Sequence, residues 1–172
     1  MMQNLIPKKE EEERRLKALA EYRILGTKPE SCYDDITKIA ASTCNVPISL
    51  MTLVDKDKQW FKSKVGLEIN ETKRDWSFCT HAIQESSPLI IQDAFQDERF
   101  INNPLVTGDP KIRFYAGFPL KNRDGNKLGT LCVIDRKPGN LSPKQFKVME
   151  LLSKQIVSFL ELRKKSLNLL EA

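Results

Sequence analysis

The spacing of apolar residues changes several times along the chain, and each change predicts a different element. From Lys9 to Ile24, Leu16, Leu19, Ala20 and Ile24 share one helical face, and Glu10 to Glu13 stand three and four residues ahead of Arg14 and Arg15. Opposite charges at that spacing support a helix, which Gly26 is expected to stop. Pro29 opens a second helix, to about Cys44, with Tyr33, Ile36, Ile39, Ala40 and Thr43 inward. Val46 to Asp55 is apolar at nearly every position, the mark of a strand covered on both faces. After the Asp55–Lys58 turn, Gln59 to Val65 sets Trp60, Lys62 and Lys64 against Phe61, Ser63 and Val65. That alternation predicts an edge strand, followed by a polar loop from Gly66 to Arg74.

Beyond the loop the elements shorten. Ser77 is placed to cap a short helix carrying Phe78, Cys79, His81, Ala82 and Ile83, and Leu89 to Gln92 reads as a short strand. Asp93 to Lys111 holds two prolines and one expected helical turn, at Glu98 to Asn102. A connection that long in a compact domain is usually functional, so it is read as a lid over one sheet face. Phe114 to Leu120 and Leu128 to Ile134 flank Arg123-Asp124-Gly125-Asn126, and an Asp-Gly pair between strand-like runs is a hairpin signal because Gly accepts positive φ. This hairpin is expected at the sheet centre, with close approaches at Gly117 and Gly129.

A third long helix is announced by Ser142-Pro143-Lys144-Gln145, an N-cap, a first-turn proline and a capping-box glutamine, and is expected to run to about Leu169. Met149, Leu152, Ile156 and Phe159 alternate spacings of three and four, and Leu167 and Leu170 continue the stripe. The seam has two readings: packing on the sheet, or pairing two copies of the chain. With Leu16, Leu19 and Ile24 it makes more apolar stripe than one sheet face is expected to cover, which favours a homodimer through the terminal helices.

At 172 residues, 40% hydrophobic and 30% charged, the chain can bury one sizeable core. No apolar run approaches the roughly 18 residues of a membrane span. The opening MMQNLIPKKEEEERR lacks a secretory h-region, so a cytoplasmic protein with no membrane partner is expected. The net charge of +5 is spread among interleaved acids, which argues for a solvated surface and against nucleic acid. Cys32, Cys44, Cys79 and Cys132 include no C-x-x-C pair, so free thiols are expected. His81 is the sole histidine, which excludes any site needing two. Cys79 and His81, two residues apart on a helix, do not face each other. Cys79 reads either as a small buried side chain or as a reactive thiol near a helix start, and no cofactor is implied.

The hairpin ending GTLCVID, preceded by RFYAGFPL and with SFCTHAI upstream, resembles a GAF domain, the small sensory module of many bacterial signalling proteins. The likeness runs from about Tyr22 to Leu160. It implies an α/β (α+β) fold: a mainly antiparallel sheet of five or six strands, terminal helices on one face, the short helix and lid on the other. The expected division is residues 1–28 an N-terminal helix, 29–160 the GAF domain, 161–172 a helical extension. The family's ligand cavity lies between sheet and lid, where Phe78, Cys79, His81, Asp93, Arg113 and Tyr115 are the residues expected to reach it. Arg113 offers a fork for a carboxylate or phosphate, or pairs with Asp93 as a structural bridge.

The resemblance also sets out chemistries to weigh. GAF domains that reduce free methionine sulfoxide use a helix-start cysteine like Cys79 together with loop cysteines that this chain lacks. Bilin-binding members place Cys next to His, whereas Thr80 separates Cys79 from His81. The cyclic-nucleotide pattern is matched only by Asn126-Lys127. The reading is therefore a non-catalytic sensory module that binds a small anionic or zwitterionic ligand or a signalling protein. A Cys79-based thiol oxidoreductase of the methionine-R-sulfoxide type is the alternative, and a collapsed cavity leaving a dimerisation scaffold is the third.

Overall fold

The computed structural model describes residues 5–85 and 87–172. Six strands form one antiparallel sheet: β1 (Ile48–Val54), β2 (Lys58–Val65), β3 (Glu71–Lys73), β4 (Leu89–Ile91), β5 (Phe114–Lys121) and β6 (Lys127–Asp135), in the spatial order β3-β2-β1-β6-β5-β4. Helices α1 (Leu5–Glu21), α2 (Ser31–Cys44) and α5 (Pro143–Glu171) cover one face. The short helices α3 (Phe78–Ala82) and α4 (Pro104–Thr107), with the lid, cover the other. Every residue of β1 is buried, as its continuous apolar run requires.

The hairpin turns at Gly125, whose φ is +85°, and the Asn122 side chain accepts from the backbone N–H groups of Asp124 and Asn126. Strand β6 is central beside β1, but β5 lies one place in from the edge, because β4 adds three residues outside it. Gly129 faces the β1 backbone so closely that a Cβ there would overlap the Thr52 carbonyl.

Strand β2 departs from simple alternation. Met51 pairs with Ser63 but Thr52 with Phe61, so Lys62 is the extra residue of a bulge. Lys62 is therefore only 3% exposed, and its ammonium donates to Thr27 Oγ1 at 2.8 Å and to the Lys28 carbonyl. Nor is β2 an edge over Lys58–Trp60: β3 forms inside the stretch expected to be loop and pairs there. The turn expected at Glu98–Asn102 is present, the Ile101 N–H reaching the Asp97 carbonyl at 3.0 Å, and a helix follows at Pro104–Thr107, where Asn103 caps it and Pro104 takes the first position.

The helices adjust in register. The first ends at Glu21 rather than Ile24, since Arg23 turns left-handed (φ 47°), which sends Tyr22 and Ile24 into the core; Gly26 follows in the next turn. Ala20 is exposed, and Arg15 is buried in its stead, donating to the Val54 carbonyl at 2.7 Å. On α2 the inward face is Tyr33, Ile36, Thr37, Ala40, Ala41 and Cys44, while Ile39 is exposed and Thr43 half-buried. The capping box at Ser142 and Gln145 is complete.

Along α5, Met149, Ser153, Ile156 and Leu160 are buried, with Leu152 and Phe159 packed against them. The seam expected to be free for a partner is thus used on the sheet and α2, where Phe159 meets the Tyr33 ring edge-on at 6.1 Å. Leu19 and Ile24 are buried in the same core. Leu170, the end of that seam, stays exposed, and so does a different row, Leu151, Leu162 and Leu169. No described helix is long and apolar enough to cross a membrane.

Candidate functional site

Three short devices assemble the lid-side site. Ser77 ends a 3-10 turn at Arg74–Trp76 and caps α3 by accepting from the Thr80 N–H at 3.1 Å. Its own hydroxyl meets Gln59 Oε1 on β2 at 2.7 Å, which ties the start of α3 to the sheet. Phe78 stacks on Phe100 of the lid with centroids 4.1 Å apart and tilts against Tyr115 at 5.1 Å. Tyr115 crosses over Gly117, where a Cβ would overlap its phenol. That glycine is what lets the phenol lie along its own strand.

At the centre sits Cys79, 2% exposed. Tyr115 Oη lies 3.1 Å from its sulfur, and Thr130 Oγ1 donates to it at 3.0 Å. Cys132 lines the same small cavity. Burial alone pushes a thiol up by penalising its anion. At Cys79 the hydrogen bonds from Cys132, Thr130, Thr52 and Tyr115 outweigh burial and hold the thiol below its usual range. Burial and the neighbouring Cys79 push Cys132 the other way. Tyr115 is likewise raised by burial and by Cys79, so it stays a neutral donor. Of the two cysteines, Cys79 is the more acidic.

The other expected residues do not join it. His81 is half-buried with its ring edge on Phe100 at 4.8 Å, and burial, then Arg99, lowers its pKa. Asp93 accepts from the Phe95 N–H at 3.0 Å and caps a 3-10 turn at Ala94–Gln96. Arg113 donates to the Val106 and Ile112 carbonyls, both at 2.9 Å, and stacks on Phe95 at 3.5 Å. It forms no ion pair with Asp93 among the described residues, nor does it present its fork to the cavity; its role is to fasten the lid. The structure thus brings together Phe78, Cys79 and Tyr115 and sets His81, Asp93 and Arg113 apart.

Sequence reasoning left Cys132, Thr130 and Phe100 out of the site. The first two were signalled by strand periodicity: two apart on β6, they point to one face, the face that Tyr115 shares from β5. No such period marks Phe100, which reaches the site from a turn.

What remains open is small. The cavity between Cys79, Cys132, Tyr115, Phe78, Phe61 and Leu105 measures about 20 Å³, room for about one water-sized molecule. No group of three or more metal-ligating side chains occurs among the described residues.

The GAF domain family model matches residues 28–159. The chain belongs to the GAF family. A cyclic di-GMP phosphodiesterase of Pseudomonas aeruginosa is 37% identical over 153 residues, 88% of this chain but 26% of that protein. The chain thus spans about a quarter of the length of the curated relative it matches. Among solved structures, the GAF domain of an Acinetobacter phosphoenolpyruvate-protein phosphotransferase superposes with a TM-score of 0.63 at 16% identity, covering 90% of this chain and 96% of that one. A free methionine-R-sulfoxide reductase from Neisseria meningitidis, solved with its substrate, gives 0.64 at 12% identity, covering 85% and 87%. At such identities these structures show the fold alone.

Proposed function

We propose that this GAF domain is a non-catalytic regulatory module of a bacterial signalling protein, whose output leaves through α5 as a helical pair between two copies. The observation that carries the reading is the far end of α5. Its core contacts stop at Leu160, yet the helix continues to Glu171 with Leu162, Leu169 and Leu170 at 59%, 77% and 84% exposure. On a 100° wheel Leu151, Leu162 and Leu169 fall within about 20° of one another, so they form one stripe. A narrow apolar stripe on a long helix is the seam a partner helix covers. The likeness to part of a much longer phosphodiesterase supports a module that controls something beyond itself.

Light scattering at micromolar concentration tests it. Twice the 19.8 kDa chain mass is expected, with Leu162→Glu shifting it toward one. A monomeric wild-type chain would defeat the helical output.

The lid-side cavity, at about 20 Å³, is far below the roughly 300 Å³ of ordinary small-molecule sites. An anionic or zwitterionic ligand there requires the Phe78–Phe100 stack to part. The second reading, thiol-dependent reduction of free methionine sulfoxide, is favoured by Cys132 lining the same cavity as Cys79. It is opposed by the same volume. Turnover of free methionine sulfoxide with a thiol reductant, lost in Cys79→Ser, would establish it.

A further inference from the structure

Two cysteines that line one cavity beneath a lid, with two hydroxyls in contact with the sulfur of one of them, have a use that does not depend on the helical output. We infer that Cys79 and Cys132 form a peroxide-reactive pair, with Cys79 the attacking sulfur and Cys132 the resolving one, joined on oxidation by a disulfide between α3 and β6.

The roles follow from the contacts. A thiolate, not a thiol, attacks an oxidant. Thr130 Oγ1 donates to the Cys79 sulfur at 3.0 Å, and Tyr115 Oη lies 3.1 Å from it, within reach to donate once the sulfur is ionised. The groups facing it are Tyr115 from β5, Cys132 and Thr130 from β6 and Thr52 from β1, none of them charged when protonated. His81, on the same short helix, turns to Phe100. Hydroxyls rather than cations must therefore stabilise the anion, and charge-assisted hydrogen bonds of this kind are the strong ones. Cys32 and Cys44 lack such a setting: burial raises both.

Cavity size selects the oxidant. A space of about 20 Å³ lined by both cysteines takes a molecule near the size of water, which hydrogen peroxide is and methionine sulfoxide is not. Its rim includes Leu67 and Ile69 of the β2–β3 connection, Thr72 of β3 and Pro110 of the lid, and Ile69 is 46% exposed. The space therefore approaches solvent between two loops.

The chemistry balances without a cofactor. Cys79 sulfur attacks one peroxide oxygen, the O–O bond breaks, and the second oxygen leaves as hydroxide, which takes up the proton lost from Cys79. Cys79 is then a sulfenic acid. Cys132 sulfur attacks it, the S–S bond forms, the S–O bond breaks, and hydroxide leaves with the Cys132 proton as water. Two thiols and one hydrogen peroxide give one disulfide and two waters, and the new bond draws α3 onto the sheet.

Intact and peptide mass spectrometry of the full chain after brief exposure to hydrogen peroxide tests this. The wild type should lose the mass of two hydrogens and yield a Cys79–Cys132 linked peptide. Cys132→Ser should instead trap a dimedone adduct on Cys79, and Cys79→Ser should give neither product. Tyr115→Phe should slow the wild-type reaction at least about tenfold at neutral pH, the loss of one hydrogen bond to a charged group, and should move the midpoint of the rate–pH curve upward. Both thiols intact at a peroxide dose that oxidises free cysteine in the same tube would overturn the inference. So would a link confined to Cys32 and Cys44, a first adduct on Cys132, or a Tyr115→Phe rate equal to wild type. A monomer by light scattering would remove the helical output and leave this result standing.

Discussion

The two faces of the sheet are built on different physics. On the helix face, α1, α2 and α5 press onto Met51, Leu53, Phe118, Leu128 and Leu131, and the core is apolar and continuous, aliphatic side chains packing with Tyr22, Tyr33 and Phe114. Its buried polar groups, such as Arg15 on the Val54 carbonyl and Lys62 at Thr27, sit at the margins and clasp one element to another. On the lid face, short turns bring Phe78, Phe100 and Tyr115 together, and the buried polar groups are at the centre, around Cys79. Long helices place side chains by periodicity, and turns place them by capping. The helix face therefore sets global stability, and the lid face is the one free to respond.

The largest effect should separate the two faces directly. Phe118 is 1% exposed, with Phe146 edge-on at 5.0 Å. Phe118→Ala should cost about 3–5 kcal/mol by urea denaturation, the usual price of an emptied aromatic site. Phe100→Ala should cost less globally while raising hydrogen exchange in Ala94–Thr107, because the lid can open as a local unit. Equal global losses with no local exchange would mean that the faces unfold as one.

The two close-approach glycines sharpen the same contrast. An Ala at Gly129 meets the Thr52 carbonyl, a backbone atom that can yield only if β1 and β6 separate. Gly129→Ala should therefore cost about 2–3 kcal/mol, in the range of overpacked core sites. An Ala at Gly117 meets the Tyr115 phenol, a side chain that can swing away at the expense of its contact with Cys79. Gly117→Ala should cost less and alter the reactivity of Cys79 toward a thiol reagent more. The reverse order would sink this account of β5.

How far the sequence could foresee each face follows from the same division. The hairpin at Gly125, the Ser77 and Ser142 caps and the fully buried β1 were legible because each rests on a local rule. The α2 face was misjudged by a fraction of a turn, placing Ile39 inward and leaving Thr37 unnamed, because apolar content alone does not say that Thr37 will meet Ser63 Oγ at 2.7 Å. The bulge that buries Lys62 has no short-range signal, since it arises from pairing with β1. At the site, Cys79 and Tyr115 were legible and their meeting with Cys132 was not, because it depends on α3 lying across β6. Arg113 and Asp93 were read as site groups for their charge, but the lid's unpaired backbone groups claimed both.

The N-terminal clasp should show itself in acid. Partial burial raises the Glu12 carboxyl, but the guanidinium groups of Arg15 and Arg74 outweigh it and hold the pKa at about 2. With a folded pKa below the unfolded value of 4.5, the contribution is complete above about pH 4.5 and lost as pH falls toward 2. Since the carboxylate is one-third exposed, solvent screening reduces it to about 1–2 kcal/mol. Glu12→Gln should lower stability by that amount at pH 7 and by almost nothing near pH 2. A constant difference across that range would place its effect in packing instead of charge.

The smallest effect belongs to the lid face and is the easiest to isolate, because His81 is the chain's only histidine. Burial against Phe100 and the positive charge of Arg99 lower its pKa, against weaker opposing pulls from Asp97 and Glu85. A histidine whose folded pKa lies below its unfolded value binds its proton more readily unfolded, so it costs the fold nothing above the unfolded pKa and destabilises it as pH falls below. In a nuclear magnetic resonance titration, its single imidazole signal should have a midpoint below about 6.5. Arg99→Gln should raise that midpoint, since it removes a like charge, while changing stability by no more than about 0.5 kcal/mol, because Arg99 and Asp97 form an exposed pair. An unmoved midpoint would leave burial against Phe100 as the whole cause, and would make the aromatic stack, not the lid's charges, the controller of this end of the site.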